Sequence, residues 1–186
     1  MNAPNPETVR RGRRQLILIA AVFLAPAIIA AAVGLTGWMP GTRGNGEQIA
    51  PQRNFLDVPL TLESGGRYEW RDPESPRFSL LALPGPTCAA RCRQQLAMMR
   101  NARITMNENM QRVRLVFVGE RTLAGDALDS DWQVARDDGG RLDEFRPGGA
   151  DSLAAILVQS NGTALSLYRD GFNPTGLRKD MKKVVK

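Results

Sequence analysis

The chain has 186 residues, 42% hydrophobic and 24% charged, which is the balance of a globular protein rather than a disordered one. Its net charge of +6 comes from 25 basic and 19 acidic residues, and Arg10, Arg11, Arg13 and Arg14 less Glu7 supply +3 of that before residue 16. There is no histidine, which excludes Ser-His-Asp and Cys-His catalysis and every histidine-bearing metal site. No stacking aromatics interleave with basic residues, so nucleic acid is not an expected partner.

From Leu16 to Trp38 the sequence carries no charge. As a helix this run would be about 35 Å long, enough to cross a bilayer core. Basic residues crowd its N-terminal side, whereas only Arg43 and Arg53, against Glu47, follow soon after. That asymmetry predicts a cytoplasmic basic segment at 1–15 and a transmembrane anchor at 16–38, with everything after it outside. Trp38 stands where an interfacial aromatic belongs, and a membrane helix tolerates Pro26 with a kink. The competing reading is a cleaved signal peptide, for which "AIIAAA" offers small residues and "RRQL" a weak twin-arginine echo. The apolar run is longer than a normal signal core, which favours the anchor. Both readings deliver the rest of the chain to a compartment where thiols can be oxidised.

Residues 39–54, rich in Gly, Pro and polar side chains, read as a linker, and 55–186 as one domain. "FLDVPLTL" reads as an edge segment because Pro59 would break a central ladder. "RFSLLAL" (77–83) is a core strand, followed by the turn "PGPT" and a helix from Cys88 to about Met110. "RVRLVFVG" (112–119) is β-rich and ends at Gly119; "RTLAGDAL" is a short helix; "DWQVARDDGG" is a strand running into a turn. "LAAILVQ" and "ALSLYR" flank Asn161-Gly162, a favoured two-residue hairpin turn. Asn173 caps a final helix that starts at Pro174. The order predicts an α/β sheet of mixed direction.

Cys88 and Cys92 are the only cysteines. A cysteine in a helix's first turn faces unpaired N–H groups and the positive dipole end, and Arg91 and Arg93 add charge, so Cys88 is expected to favour the thiolate. The C-x3-C spacing puts both sulfurs on one face, close enough to bridge or to grip one soft ion. The competing reading is a fixed disulfide, which over so short a loop would stabilise weakly. Met98, Met99, Met106 and Met110 follow, and Cys92, Met99 and Met106 share a helix face. Thioethers with thiolates suit Cu(I), but core packing is the favoured reading. The acidic stretch around "DSDWQVARDDGG" lacks the glycine a calcium loop needs at its sixth position and reads as a solvated loop.

The anchor, the strand, "PTCxxxC", "SNGTALSLY" and the terminal helix together resemble the thioredoxin-like domain of the Sco/SenC copper chaperones, which serve assembly of the dinuclear copper centre of cytochrome c oxidase. The stretches "NGEQIAPQR", "CAARCRQQLAMMRNAR" and "FNPTGLRKDMKKVVK" are similar to a proteobacterial branch of small Sco-like membrane proteins associated with cytochrome oxidase genes. The resemblance implies a thioredoxin-like domain behind a single N-terminal transmembrane helix, held in a bacterial inner membrane with its domain in the periplasm. It implies an oxidase assembly factor that acts as a thiol reductant or Cu(I) carrier through Cys88 and Cys92. Its partners would be the copper-bearing oxidase subunit or that subunit's other assembly factors, besides membrane lipid. Cys88 and Cys92 match the family's two cysteine ligands, while its third ligand, a histidine, has no counterpart here. Nor does a proline stand immediately before the 153–159 strand, where thioredoxin-like proteins carry a cis-proline; the nearest is Pro147. The alternatives are a general thiol-disulfide oxidoreductase and a non-catalytic oxidase-associated protein with a structural disulfide.

Overall fold

A computed structural model describes residues 14–16, 19–28, 31 and 44–185. The chain divides into two units, Met1–Arg43 and Gly44–Lys186. In the first unit the described residues are helical, and Leu16, Ile19, Val22, Phe23, Leu24 and Ile28 are exposed. The predicted anchor at 16–38 lies partly outside the described residues, and among those described no helix is long and apolar enough to cross a membrane. The basic segment at 1–15 is described only at its last two residues.

The second unit is built on six strands: β1 (Thr61–Leu62), β2 (Phe78–Pro84), β3 (Val113–Val118), β4 (Trp132–Arg136), β5 (Leu153–Val158) and β6 (Ala164–Tyr168). They form one sheet in the order β1-β4-β3-β2-β5-β6. β2, β3 and β4 run parallel, while β1, β5 and β6 pair antiparallel to their neighbours. Every residue of β2 is buried, as suits a central strand covered on both faces, and its one polar side chain, Ser79, is paired with the Tyr68 hydroxyl. Alternate side chains go to opposite layers. Phe78, Leu80 and Ala82 join Leu115 and Phe117 in the layer that packs with α1 (Ala90–Ile104) and α3 (Pro174–Val184). Leu81 and Leu83 join Val116, Val118 and Ile156 in the opposite layer. There the cover is Phe55, Val58, Leu60, Tyr68 and Trp70 from the irregular chain before β2. The predicted edge segment therefore forms a sheet edge only at β1, and its apolar residues serve as a lid over the second core.

Two local expectations change, those for the helix after the cysteines and for the hairpin turn. The helix predicted to run from Cys88 to about Met110 stops at Ile104, because Asn107 takes a positive φ of 52° and a 3-10 turn spans Asn107–Arg112. "RTLAGDAL" forms a helix α2 at Arg121–Ala124 with one further 3-10 turn. In the hairpin only Gly162 has a positive φ, 82°. Gly162 N–H donates to Gln159 O (2.9 Å) and Gln159 N–H to Thr163 O (2.8 Å), so the loop has three residues and closes on a glycine bulge rather than a two-residue turn. The cap at Asn173 is as expected, its side chain accepting from Thr175 N–H at 2.9 Å ahead of Pro174.

The predicted linker 39–54 is corrected over its described part, 44–54, which belongs to the folded unit. Glu47 exchanges backbone hydrogen bonds with Leu167 on the outer edge of β6 (2.7 and 2.8 Å), and Ala164 N–H donates to Arg53 O (3.0 Å). Asp180, on α3 and 5% exposed, holds the start of this arm. It accepts from the backbone N–H groups of Asn45 (2.5 Å) and Gly46 (3.1 Å), from Asn45 Nδ2 (2.9 Å) and from the Tyr168 hydroxyl (3.1 Å). A polar stretch read as a linker is thus the pairing partner that covers an edge strand.

Burial alone would raise the Asp180 pKa, but the donors from Asn45, Gly46 and Tyr168 outweigh it and hold the carboxyl below its ordinary value of 3.8. A carboxyl depressed on folding adds stability that is fully present above its unfolded pKa and fades as pH falls through the folded value. Asp180→Asn is therefore expected to lower the melting temperature at pH 7 and to flatten its fall below about pH 4. Thermal unfolding from pH 7 to pH 2 checks this; parallel curves for the two proteins would show that Asp180 is not the group responsible.

Candidate functional site

The only two cysteines lie where the central strand β2 hands over to α1. β2 ends at Pro84, Gly85 N–H donates to Ser152 O (2.9 Å), and the loop then turns into the helix. A Cβ on Gly85 would collide with Gly149 O and with Ser152 Oγ, so glycine lets the 85–89 loop pass against the 147–152 loop that leads into β5. Ser152 Oγ in turn donates to Gly149 O, which closes that second loop on itself.

Cys88 and Cys92 form a disulfide with a Cα–Cα distance of 5.0 Å. Cys88 sits just before the cap residue Ala89, and Cys92 lies in the first turn of α1. The pair was predicted at the C-terminal end of the 77–83 strand, and it is there, with Cys88 one step ahead of the helix rather than inside it. Both residues are buried, Cys88 at 7% exposure and Cys92 at 0%, and both belong to the α1-side core layer.

The electrostatics differ from those expected. The N–H groups at the start of α1, predicted to be free for a Cys88 thiolate, are taken by Asp151. Its carboxylate accepts from Ala89 N–H (2.7 Å), Cys92 N–H (2.9 Å) and Arg91 N–H (3.0 Å). Asp151 lies in the loop before β5, its φ is +52°, and its own N–H donates to Thr87 Oγ1 (3.1 Å). The Cys92 N–H is the strongest of the influences that hold the Asp151 carboxyl below its ordinary pKa, with those of Arg91 and Ala89 adding to it against partial burial. The two arginines are also turned elsewhere. Arg91 pairs with Asp170 (2.7 Å), and Arg93 Nε donates to Ala89 O (3.1 Å).

Behind the disulfide, Asp170 ties three elements together. Besides Arg91, it accepts from Leu153 N–H at the start of β5 (3.1 Å). With its amide oriented by its partners, buried Gln95 donates to Asp170 Oδ1 (3.3 Å) and accepts from Gly171 N–H (2.9 Å). Sequence reading missed Asp151, Asp170 and Gln95. Only Asp151 left a trace, as a carboxylate standing just ahead of a strand, and nothing nearby in sequence says that it reaches α1.

The sulfur-rich helix face resolves into core. Met99 (0% exposed) and Met106 (6%) sit in the same buried layer as Leu96. Met99 is two turns from Cys92, about 10 Å along the axis, and Met98 is about 9 Å along it, so neither reaches an ion held by the cysteines. Met98 instead lines a shallow groove with Ala102, Pro174 and Arg178 between α1 and α3. Among the described residues no group of three or more His, Cys, Asp or Glu is arranged to hold a metal ion. Once reduced, Cys88 and Cys92 would offer a soft ion such as Cu(I) two sulfurs.

A mixed six-stranded sheet with a cysteine pair at the end of its central parallel strand and the start of the following helix defines a thioredoxin-like protein. Residues 78–186 match the family model of the transmembrane-like, thioredoxin-like C-terminal domain, and the chain belongs to that family. Its fold is Sco-like. It is similar to copper-bound yeast Sco1, with TM-score 0.53 and 9% identity over 77% of this chain and 93% of that one. It is also similar to apo Sco1 from Thermus thermophilus, with TM-score 0.51 and 12% identity over 77% and 99%. No curated protein matches the sequence.

Proposed function

We propose that this protein is a membrane-anchored assembly factor for a copper-containing cytochrome oxidase, working as a periplasmic thiol reductant through Cys88 and Cys92. The observation that carries the reading is the position of the pair at the β2–α1 turn of a Sco-like thioredoxin fold. In the reduced state the Cys88 thiolate attacks one sulfur of a partner's disulfide and the other sulfur leaves as thiolate. Cys92 then attacks the Cys88 sulfur, the partner departs as a dithiol, and the Cys88–Cys92 bond forms. The partner gains two electrons and two protons, and the pair loses both.

The membrane part of the reading is supported by the uncharged run Leu16–Trp38, its flanking arginines, and apolar side chains exposed on all sides of the described helical turns. We place the chain in a bacterial inner membrane as a single-pass protein with its N-terminus cytoplasmic. Its direct partner in this reading is the copper-bearing oxidase subunit or one of that subunit's other assembly factors. The proteobacterial Sco-like branch is the family reading that best accounts for the missing histidine.

A second reading, Cu(I) carriage with the ion as cargo, is favoured by the soft-donor character of two thiolates and by the fold likeness to a Sco1 that holds copper. Cys88 and Cys92 would supply two sulfurs and the partner the remaining donor. Redox titration of the full-length protein in detergent tests the proposal. A working couple titrates above about −300 mV, whereas a structural staple titrates below it and would overturn the reading. Cu(I) competition on the reduced protein separates the two readings. A carrier outcompetes its Cys88→Ser/Cys92→Ser variant, and equality of the two removes copper carriage while leaving the reductant.

A further inference from the structure

The start of a helix that follows a cysteine is the natural place for a thiolate, because its N–H groups point outward without intrahelical partners. In this protein those groups are spoken for. The Asp151 carboxylate takes the N–H groups of Ala89 and Arg91, which lie between the two cysteines, and of Cys92 itself, at 2.7–3.0 Å. The carboxylate is fixed there. Its backbone is anchored through Thr87 Oγ1 on the cysteine loop, and Ser152, the next residue, accepts from Gly85 N–H. Neither neighbouring arginine forms an ion pair with it, since the Arg91 guanidinium pairs with Asp170 and that of Arg93 bonds Ala89 O, and the Arg91 charge acts on the carboxylate only through space. The charge that belongs to a cysteine anion at such a position is therefore already present, supplied from the loop before β5.

We propose that Asp151 is a positioning residue of the cysteine pair that biases the couple toward the disulfide and so makes the dithiol a stronger reductant. The inference rests on the reading of Cys88 and Cys92 as a redox couple and deepens it. The neutral disulfide is indifferent to a nearby carboxylate. The reduced pair, which carries negative charge when either sulfur ionises, is denied the helix donors and faces a second anion. In exchange with a low-molecular-weight thiol, the disulfide and two thiols go to the dithiol and one small disulfide, and Asp151 holds that equilibrium to the left.

The test is equilibration of the full-length protein in detergent micelles with reduced and oxidised glutathione at pH 7, the dithiol fraction being read by alkylation and mass. Asp151→Asn keeps the shape, tolerates the positive φ and still accepts N–H bonds, but carries no charge. It is expected to move the equilibrium toward the dithiol about tenfold or more, a potential less negative by about 30 mV. Ser152→Ala removes the hydroxyl bond to Gly149 O that closes the same loop, leaves the carboxylate with its three N–H partners, and serves as the structural comparison. It is expected to leave the potential within about twofold in equilibrium constant of the unaltered protein. If Asp151→Asn titrates with the unaltered protein while both still exchange with glutathione, the inference falls and the redox reading stands. An equal shift in Ser152→Ala assigns the effect to loop packing and likewise overturns it. If no version is reduced at any glutathione ratio, the redox reading itself falls, and this inference with it.

Discussion

Cys92→Ser is expected to trap the protein on its partner, and Cys88→Ser to leave it inert. Of the two residues, Cys88 retains the only exposure, 7% against 0%. It also lies in the loop ahead of the helix, between the exposed residues Thr87 and Ala89. On the proposed function an incoming sulfur would meet Cys88 first, and the fully buried Cys92 would be the resolving thiol. Without Cys92 the mixed disulfide at Cys88 has no internal nucleophile to break it and accumulates. Without Cys88 the remaining thiol is shut away. Both variants lose turnover completely. The fold survives in each, because a cross-link over so few residues contributes only about 2 kcal/mol on the chain-entropy account. Mass analysis of each variant after exposure to oxidised glutathione reads the adduct. Accumulation on Cys92 in Cys88→Ser, with none on Cys88 in Cys92→Ser, would reverse the assignment of roles.

The second large effect is on stability. Phe117 is fully buried in β3 and belongs to the layer between the sheet and the α1–α3 pair that also holds Cys92, Leu96 and Met99. Phe117→Ala removes most of a ring from a close-packed layer and is expected to cost about 3–5 kcal/mol. For a folded unit of this size that lowers the melting temperature by roughly 10 °C or more. Thermal unfolding of the disulfide form measures it. A loss under about 1 kcal/mol would mean that α1 settles into the vacated space and that the packing beneath the site is looser than the burial indicates.

Parts of this structure were written locally. The short apolar run "RFSLLAL" reads as a core strand, and the β-branched "RVRLVFVG", bounded by Gly119, as a second. Cys88 and Cys92 fall at a strand-to-helix turn because "PGPT" ends one periodicity and "ARCRQQLAMM" begins another. Asn173 followed by Pro174 announces a helix start wherever it is placed. Each of these signals acts over a few residues, through backbone geometry or side-chain period, and needs no knowledge of what lies across the fold. The hairpin was legible in the same way but its turn type was not, since Asn161 keeps a negative φ once Gly162 takes the bulge position.

The sequence by itself therefore determined the sheet's central strands, the place of the thiols and the absence of any imidazole beside them. Tertiary structure alone decided what surrounds those thiols. Asp151 reaches the start of α1 across 59 or more residues because β5 pairs with β2, which brings the loop before β5 to the end of the strand that carries the cysteines. The same long-range pairing turns residues 44–54 from a linker into the cover of β6, through an Asp180 that lies on the last helix. Met99, for which core packing was the favoured reading over a ligand role, is core because the α1 face it shares with Cys92 is pressed against the sheet. Periodicity specifies which face of an element is apolar; which carboxylate meets which N–H depends on strand order, and no local pattern encodes that.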